Sequence, residues 1–195
     1  MTQAPLKKLN FEEYVNYDDG TDNRYELVNG ELVMVPLPTA DHSDVIDLLS
    51  DTFKAEIGKL EHSRLVKRDV GVYVGTDPAS GKDYSRTPDL CVVTAQQWAE
   101  LKKNKKSSAI LRTPPLLAVE VVSPASKKTD YQAKEQEYSR AKILEYWIVD
   151  FRNSKVSVLL LNDDCYQITQ FRNSERIVSK LFPELTLTAQ QVLSA

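Results

Sequence analysis

Two acidic side chains stand where an apolar strand should exclude them. Asp89 lies in Thr87-Pro88-Asp89-Leu90-Cys91-Val92-Val93, and Glu120 in Leu116-Leu117-Ala118-Val119-Glu120-Val121-Val122-Ser123. A lone ionised carboxylate in an apolar strand costs several kcal/mol, on the order of the whole stability of a fold. Two such acids on successive strands are best explained by a cation they share. Side chains alternate along a strand, so Glu120 shares its face with Leu116, Ala118 and Val122, and Asp89 shares its face with Cys91 and Val93. Paired with both acids on one face, the strands bring two carboxylates to one hard cation. Mg2+ suits such a site, because it prefers oxygen ligands, retains waters and takes few protein carboxylates. The alternative is that each acid pairs with an arginine, Arg86 or Arg112.

The elements that must position these acids are legible around them. Pro88 lacks an N–H and suits the first residue of a strand, which places Asp89 near that strand's end. Upstream, Arg24–Val28 and Glu31–Val35 flank Asn29-Gly30, the strongest short hairpin signal, since both turn residues tolerate positive φ. Asp41 or Ser43 can cap a helix running to about Leu60, with Val45, Ile46, Leu48, Leu49, Phe53 and Ile57 on one side. One strand is expected over Arg64–Val74, then a polar loop to Pro88. A short helix and a Lys-rich loop are expected over residues 95–113. Behind the Glu120 strand, Lys127–Lys142 reads as a helix with Tyr131, Lys134, Tyr138 and Ala141 on one face. Glu145–Phe151, Lys155–Leu161 and Tyr166–Phe171 form a meander with polar turns, and Thr188 caps a last short helix. The order hairpin, helix, strands, helix, strands implies an α/β fold around a central mixed β-sheet flanked by helices.

Bulk properties narrow the class. The 195 residues suffice for one domain with a full core but not comfortably for two, so residues 1–195 are expected to form a single domain. A net charge of −3 argues against a non-specific, histone-like binder while leaving room for a local basic patch. The two cysteines, Cys91 and Cys165, are too few for a disulfide framework, and Cys91 reads as a small buried hydrophobe. No apolar run approaches the roughly 18 residues of a membrane span, and no signal-peptide core is present. A soluble, cytoplasmic protein is expected.

The ordered set of residues resembles the restriction-endonuclease-like superfamily with its PD-(D/E)xK signature, and more closely the Uma-two-type family. The matching residues are Arg24-Tyr25-Glu26-Leu27-Val28-Asn29-Gly30-Glu31, His42, Pro88-Asp89 and Glu120-Val121-Val122-Ser123-Pro124. The series continues through Asp130, Lys134 and Tyr138 to Glu145-Tyr146-Trp147-Ile148-Val149-Asp150. The likeness spans about residues 20–185. It departs at Val122, where the superfamily carries a lysine two residues after the second acid. A hydrophobe cannot hold or deprotonate water, so a cation must come from elsewhere. Lys134, on the tyrosine-bearing face of the next helix, is the natural donor, as in the close family. Periodicity alone would leave Lys134 a solvated helical lysine.

The resemblance implies a restriction-endonuclease-like core and metal-assisted hydrolysis of DNA phosphodiester bonds. Asp89, Glu120 and the Val121 carbonyl would hold Mg2+ or Mn2+, and Lys134 would orient the nucleophile or steady the transition state. Glu26 is either a further acid of the site or a surface residue of an edge strand. His42 is a cap, a surface residue or a site-lining one. Lys127 and Lys128, beyond the Glu120 strand, can contact phosphates. The cluster Arg64, Lys67 and Arg68 reads as solvated surface, and the Lys102–Lys106 loop as solvated or as a mobile DNA clamp. A homodimer is expected if both strands of a duplex are cut. The competing function is a nucleic-acid-binding module that keeps the fold without turnover. Zinc, phosphate-loop and serine-hydrolase chemistry are set aside, because the required ligand spacing, glycine frame and nucleophile elbow are missing.

Overall fold

The computed structural model describes residues 8–60, 63–103, 108–123 and 129–195. A short helix, α1 (Phe11–Val15), precedes the hairpin of β1 (Tyr25–Val28) and β2 (Glu31–Met34). Asn29 and Gly30 close that hairpin with φ of 53° and 75°, the positive pair the dipeptide predicts. Helix α2 (Ala40–Ile57) follows. Its cap is Thr39, whose hydroxyl accepts from the His42 amide, rather than Asp41 or Ser43, which fall inside the first turn.

Next come β3 (Arg64–Lys67), β4 (Gly71–Thr76), β5 (Asp83–Arg86), β6 (Leu90–Thr94), α3 (Ala95–Lys103), β7 (Ile110–Leu111) and β8 (Leu117–Val121). One turn of π-helix at Thr129–Ala133 leads into α4 (Lys134–Arg140). Strands β9 (Glu145–Asp150), β10 (Lys155–Asn162) and β11 (Cys165–Phe171) and helix α5 (Ala189–Leu193) complete the chain, with Thr188 capping α5 as expected. A six-stranded sheet runs in the order β11-β10-β9-β8-β6-β3, and a five-stranded sheet in the order β2-β1-β5-β4-β7. Among the described residues, β8–β9 and β4–β7 pair in parallel and the other pairs are antiparallel.

The mixed α/β class holds, and two details differ from expectation. The segment expected as one strand over Arg64–Val74 is two strands in different sheets, because Asp69 takes a φ of 58° and turns the chain between them. Strand β5 lies in the presumed polar loop. Its Asp83 accepts from Tyr73 Oη, Thr76 Oγ1 and the Phe11 amide, so a strand can form there without an apolar face.

Strand β8 is buried from end to end, and its two faces serve different layers. Leu117, Val119 and Val121 join Leu90, Val92, Trp147 and Val149 against Val45, Leu49 and Phe53 of α2 and Val192 of α5. Phe53 meets Trp147 edge-on at 5.3 Å and stacks on Phe182 at 4.9 Å. Each such buried Leu, Val or Phe contributes about 1.5–3 kcal/mol. The opposite face, with Ala118, Val122, Cys91, Val93, Tyr146 and Ile148, packs on Tyr138 of α4 and on Val72 and Val74 of the second sheet. Glu120 lies on this second face, under α4. Burial pushes the Cys91 thiol up to about 12, in keeping with an inert core residue. Among the described residues no helix is long and apolar enough to cross a membrane.

Glu145, at the start of β9, is 2 % exposed and fully engaged. It accepts from Trp147 Nε1 (2.7 Å), Ser179 Oγ (2.7 Å) and the Leu181 amide (2.8 Å), tying the carboxy-terminal segment to the sheet. Glu145→Ala strands three donors, two of them buried, so chemical denaturation should show a loss of about 2–4 kcal/mol.

Candidate active site

Register brings the two strand acids together. β6 and β8 are antiparallel with Leu90 opposite Val119, and continuing the ladder by one residue puts Asp89 opposite Glu120. Asp89 sits in the bend just before β6, and its Oδ2 accepts the Val121 amide at 2.7 Å. His42, in the first turn of α2, brings Nε2 to 3.1 Å from the same Asp89 oxygen, in poor hydrogen-bond alignment. The acid therefore rests against the backbone beside Glu120 on one side and an imidazole on the other.

Glu120 is 3 % exposed. The Tyr138 hydroxyl donates to its Oε1 at 2.6 Å, and the Lys134 ammonium lies 2.7 Å from its Oε2. Lys134 also stands 3.4 Å from Asp130 Oδ1 and 3.9 Å from Glu26 Oε1. Burial opposes its charge, but Glu120, Glu26 and Asp130 outweigh that and hold it protonated, above its ordinary value. Burial pushes the Glu120 carboxyl well above the usual carboxylate range. Lys134 pulls against this, while Asp89, Asp130 and Glu26 reinforce it.

The supporting groups come from further along the same elements. The π-helical turn carries Asp130 and is docked by Tyr146 Oη, which donates to the Asp130 carbonyl at 3.0 Å. Tyr131 Oη donates to Asp150 at 2.9 Å and pins the same turn to the end of β9. Such wide turns recur at functional sites, where they re-aim side chains. Below Lys134, Arg86 of β5 makes a two-point contact with Glu137 of α4, Nε to Oε2 at 2.6 Å and Nη2 to Oε1 at 2.8 Å. Its Nη1 donates to Glu26 Oε2 at 2.9 Å, and the Thr87 amide donates to Glu26 Oε1 at 2.9 Å. Burial opposes the Arg86 charge, but Glu137 and Glu26 hold it well above its ordinary value.

Asp89, Glu120, Lys134, Glu26 and His42 are thus gathered at one end of the six-stranded sheet. Val121 joins them through its amide on Asp89. Lys127 and Lys128 lie outside the described residues. The arginine alternative fails on both counts: Arg86 pairs with Glu26 and Glu137, and Arg112 pairs with Glu12 at the surface, its Nη2 at 2.9 Å. Glu26 is 8 % exposed, so its reading as an edge-strand surface residue is overturned. Asp130 and Tyr138 matched the motif without being given a role, and Glu137 was missed. The spacing Asp130, Lys134, Glu137 (i, i+4, i+7) was a readable signal for a charged stripe turned inward.

The donor set suits a hard cation. Among the described residues at this sheet end, the carboxylates of Glu26, Glu120, Asp130 and Glu137 contact two buried cations, Lys134 and Arg86, and Asp89 adds a further negative charge. Among the described residues no three His, Cys, Asp or Glu side chains form a ready-made metal cluster. Asp89 and Glu120 alone fit an ion that keeps most of its waters and takes one or two protein carboxylates.

A family model described as "Uma2: Putative restriction endonuclease" matches residues 11–190. The solved structure titled "Crystal structure of a putative nuclease belonging to DUF820 from Anabaena variabilis ATCC 29413" superposes with a TM-score of 0.73 at 17 % identity, covering 95 % of this chain and 98 % of that one. At that identity the likeness shows a shared fold. No curated protein matches the chain.

Proposed function

The chain belongs to the Uma2 family, and from that premise we propose that it is a divalent-metal-dependent endonuclease acting on DNA phosphodiester bonds. The observation that carries this reading is the buried Lys134 ammonium, 2.7 Å from Glu120 and on the same face as Asp89, in a site with an excess of acid. In this reading Asp89 and Glu120 hold Mg2+ or Mn2+, with the Val121 carbonyl as a third oxygen. The bound ion supplies charge neutralisation at the phosphate and a water acidified toward neutral pH.

The protein's own groups divide the remaining work. Lys134, kept protonated by three carboxylates, cannot act as a base. Its role is to donate to the nucleophile or to the charge that builds on the phosphate. Tyr138 fixes the Glu120 carboxylate, and Asp130 and Glu26 fix the ammonium. Arg86 holds Glu26 and Glu137 in place and so sets the depth of α4 against the sheet. Val122 is 6 % exposed and packs in the core, so the lysine on α4 serves where the superfamily uses one on the strand. His42 steadies Asp89, and Lys127 and Lys128 would meet flanking phosphates. Cutting both strands of a duplex would bring two copies together about a two-fold axis.

One observation favours the second reading, a binding module without turnover: Tyr138 and Lys134 already engage both Glu120 oxygens. Cleavage of supercoiled plasmid at low salt separates the two. The expected result is nicking in Mg2+ or Mn2+ that is lost in EDTA and in Asp89→Asn, whose amide oxygen can still accept the Val121 N–H. Millimolar Mn2+ should also raise the wild-type Tm, and Asp89→Asn should lose that shift. Intact plasmid, single-stranded DNA and RNA under all conditions would sink the nuclease.

A further inference from the structure

A cleft of about 330 Å³ opens on the hairpin side of the site, its walls including Tyr14, Tyr17, Tyr25, Arg24, Asp69 and Thr87. None of these residues belongs to the metal or lysine machinery, yet the cleft shares a wall with it. Thr87 donates its amide to Glu26 at 2.9 Å and stands two residues before Asp89, at most about 7 Å away along the chain. Tyr14, on the inner wall, is buried, and burial raises its hydroxyl to about 12, partly countered by Ser85 and reinforced by the nearby charge of Glu26.

The lining selects for one kind of ligand. Tyr17 is 38 % exposed, and the edge-on ring of Tyr25 braces it at 5.9 Å and 90°. Tyr25 is itself fixed by its hydroxyl on Asp19 at 2.7 Å. Arg24 is paired with Asp69, so among the described lining residues Asp18 and Asp19 leave the cleft acidic on balance. An acidic cleft repels phosphate. It favours a flat, uncharged group with amino donors, and an aromatic platform stacks any such ring.

We propose that this cleft receives a single unstacked nucleobase of the substrate strand, next to the phosphate held at Asp89 and Glu120, with Tyr17 as its stacking surface. The proposal rests on the nuclease reading and adds a substrate class to it. Single-stranded or distorted DNA is preferred over an intact duplex, because a paired base must leave its stack before it can enter.

The test is fluorescence anisotropy of a labelled single-stranded DNA oligonucleotide in EDTA at low salt, intact or with one abasic position moved along it. For the wild type, one abasic position should weaken binding about tenfold, within the range of one base–aromatic stack. Tyr17→Ala, with an unchanged Tm, should bind the intact strand about tenfold more weakly and no longer respond to the abasic position. Tyr17→Trp should restore both. If Tyr17→Ala binds as tightly as the wild type and still responds to the abasic position, the cleft is not the base site. Mg2+-dependent cutting by the wild type in that case leaves the nuclease standing. A wild type that neither binds nor cuts overturns both.

Discussion

Glu120→Gln should lose roughly 10^3-fold in plasmid cutting while unfolding no earlier than the wild type at pH 7 in EDTA. The two halves of this result have one cause. Glu120 is buried among other acids, and its folded carboxyl lies well above its ordinary 4.5, burial first and Asp89, Asp130 and Glu26 after it, against the pull of Lys134. A raised carboxyl stabilises the fold only while protonated. That contribution is complete below about 4.5 and is lost as pH rises toward the folded value. Above its ordinary value, keeping this carboxyl in the fold is therefore a cost. Glutamine carries no charge, its amide oxygen can still accept from Tyr138, and Lys134 retains Asp130 and Glu26. Thermal unfolding from pH 4.5 to 8 should show the variant gaining on the wild type as pH rises. A Tm well below wild type at pH 7, with cutting intact, would make Glu120 one half of a structural ion pair and end its role as a metal ligand.

The part of this site that was legible in the sequence is the part written in short-range alternation. Glu120 interrupts an apolar strand and Asp89 stands one residue before another, and a period of two places each on a definite face. The register Leu90 to Val119 then joins those faces. Helical periodicity set Lys134 beside Tyr131 and Tyr138 but alone left it a solvated lysine, and only the family resemblance gave it a role in the site. Arg86 and Glu137 lie 51 residues apart, and Arg86 and Glu26 lie 60 apart. No local pattern marks such pairs, since they form only when the second sheet packs on α4. That sheet was itself hidden. Asp69 turns the chain with a positive φ that glycine or asparagine would have advertised, and β5 satisfies its polar groups through Asp83 instead of an apolar face. Asp130 matched the family motif without a role: the tyrosine-bearing face drew the reading and the i, i+4 spacing to Lys134 was passed over, whereas the structure sets the two side chains 3.4 Å apart.

Lys134→Met should show the other large effect, and in the opposite direction for stability. Methionine matches the stem of lysine, so no cavity opens, but an ammonium within 4 Å of Glu120, Asp130 and Glu26 is gone. Breaking a buried ion pair from one side costs about 3–5 kcal/mol, because the remaining charges stay buried without compensation. The sign with pH follows. Lys134 is held above its ordinary 10.5, so its contribution is complete below that value and fades only as pH rises through the folded one. The deficit of the variant should therefore be full from pH 5 to 8 and shrink only in alkaline solution, as the wild-type ammonium gives up its proton. Millimolar Mg2+ should recover part of the lost stability, because a divalent ion at the carboxylates replaces the missing charge. It should not recover cutting, which we expect to fall about 10^2–10^3-fold, since the ion replaces the charge of Lys134 but not its N–H donors. Stability restored without turnover would separate the structural charge of Lys134 from its chemical role. Turnover restored along with stability would show that the lysine only holds the acids together, and would pass the donor's task to His42, the nearest imidazole to Asp89.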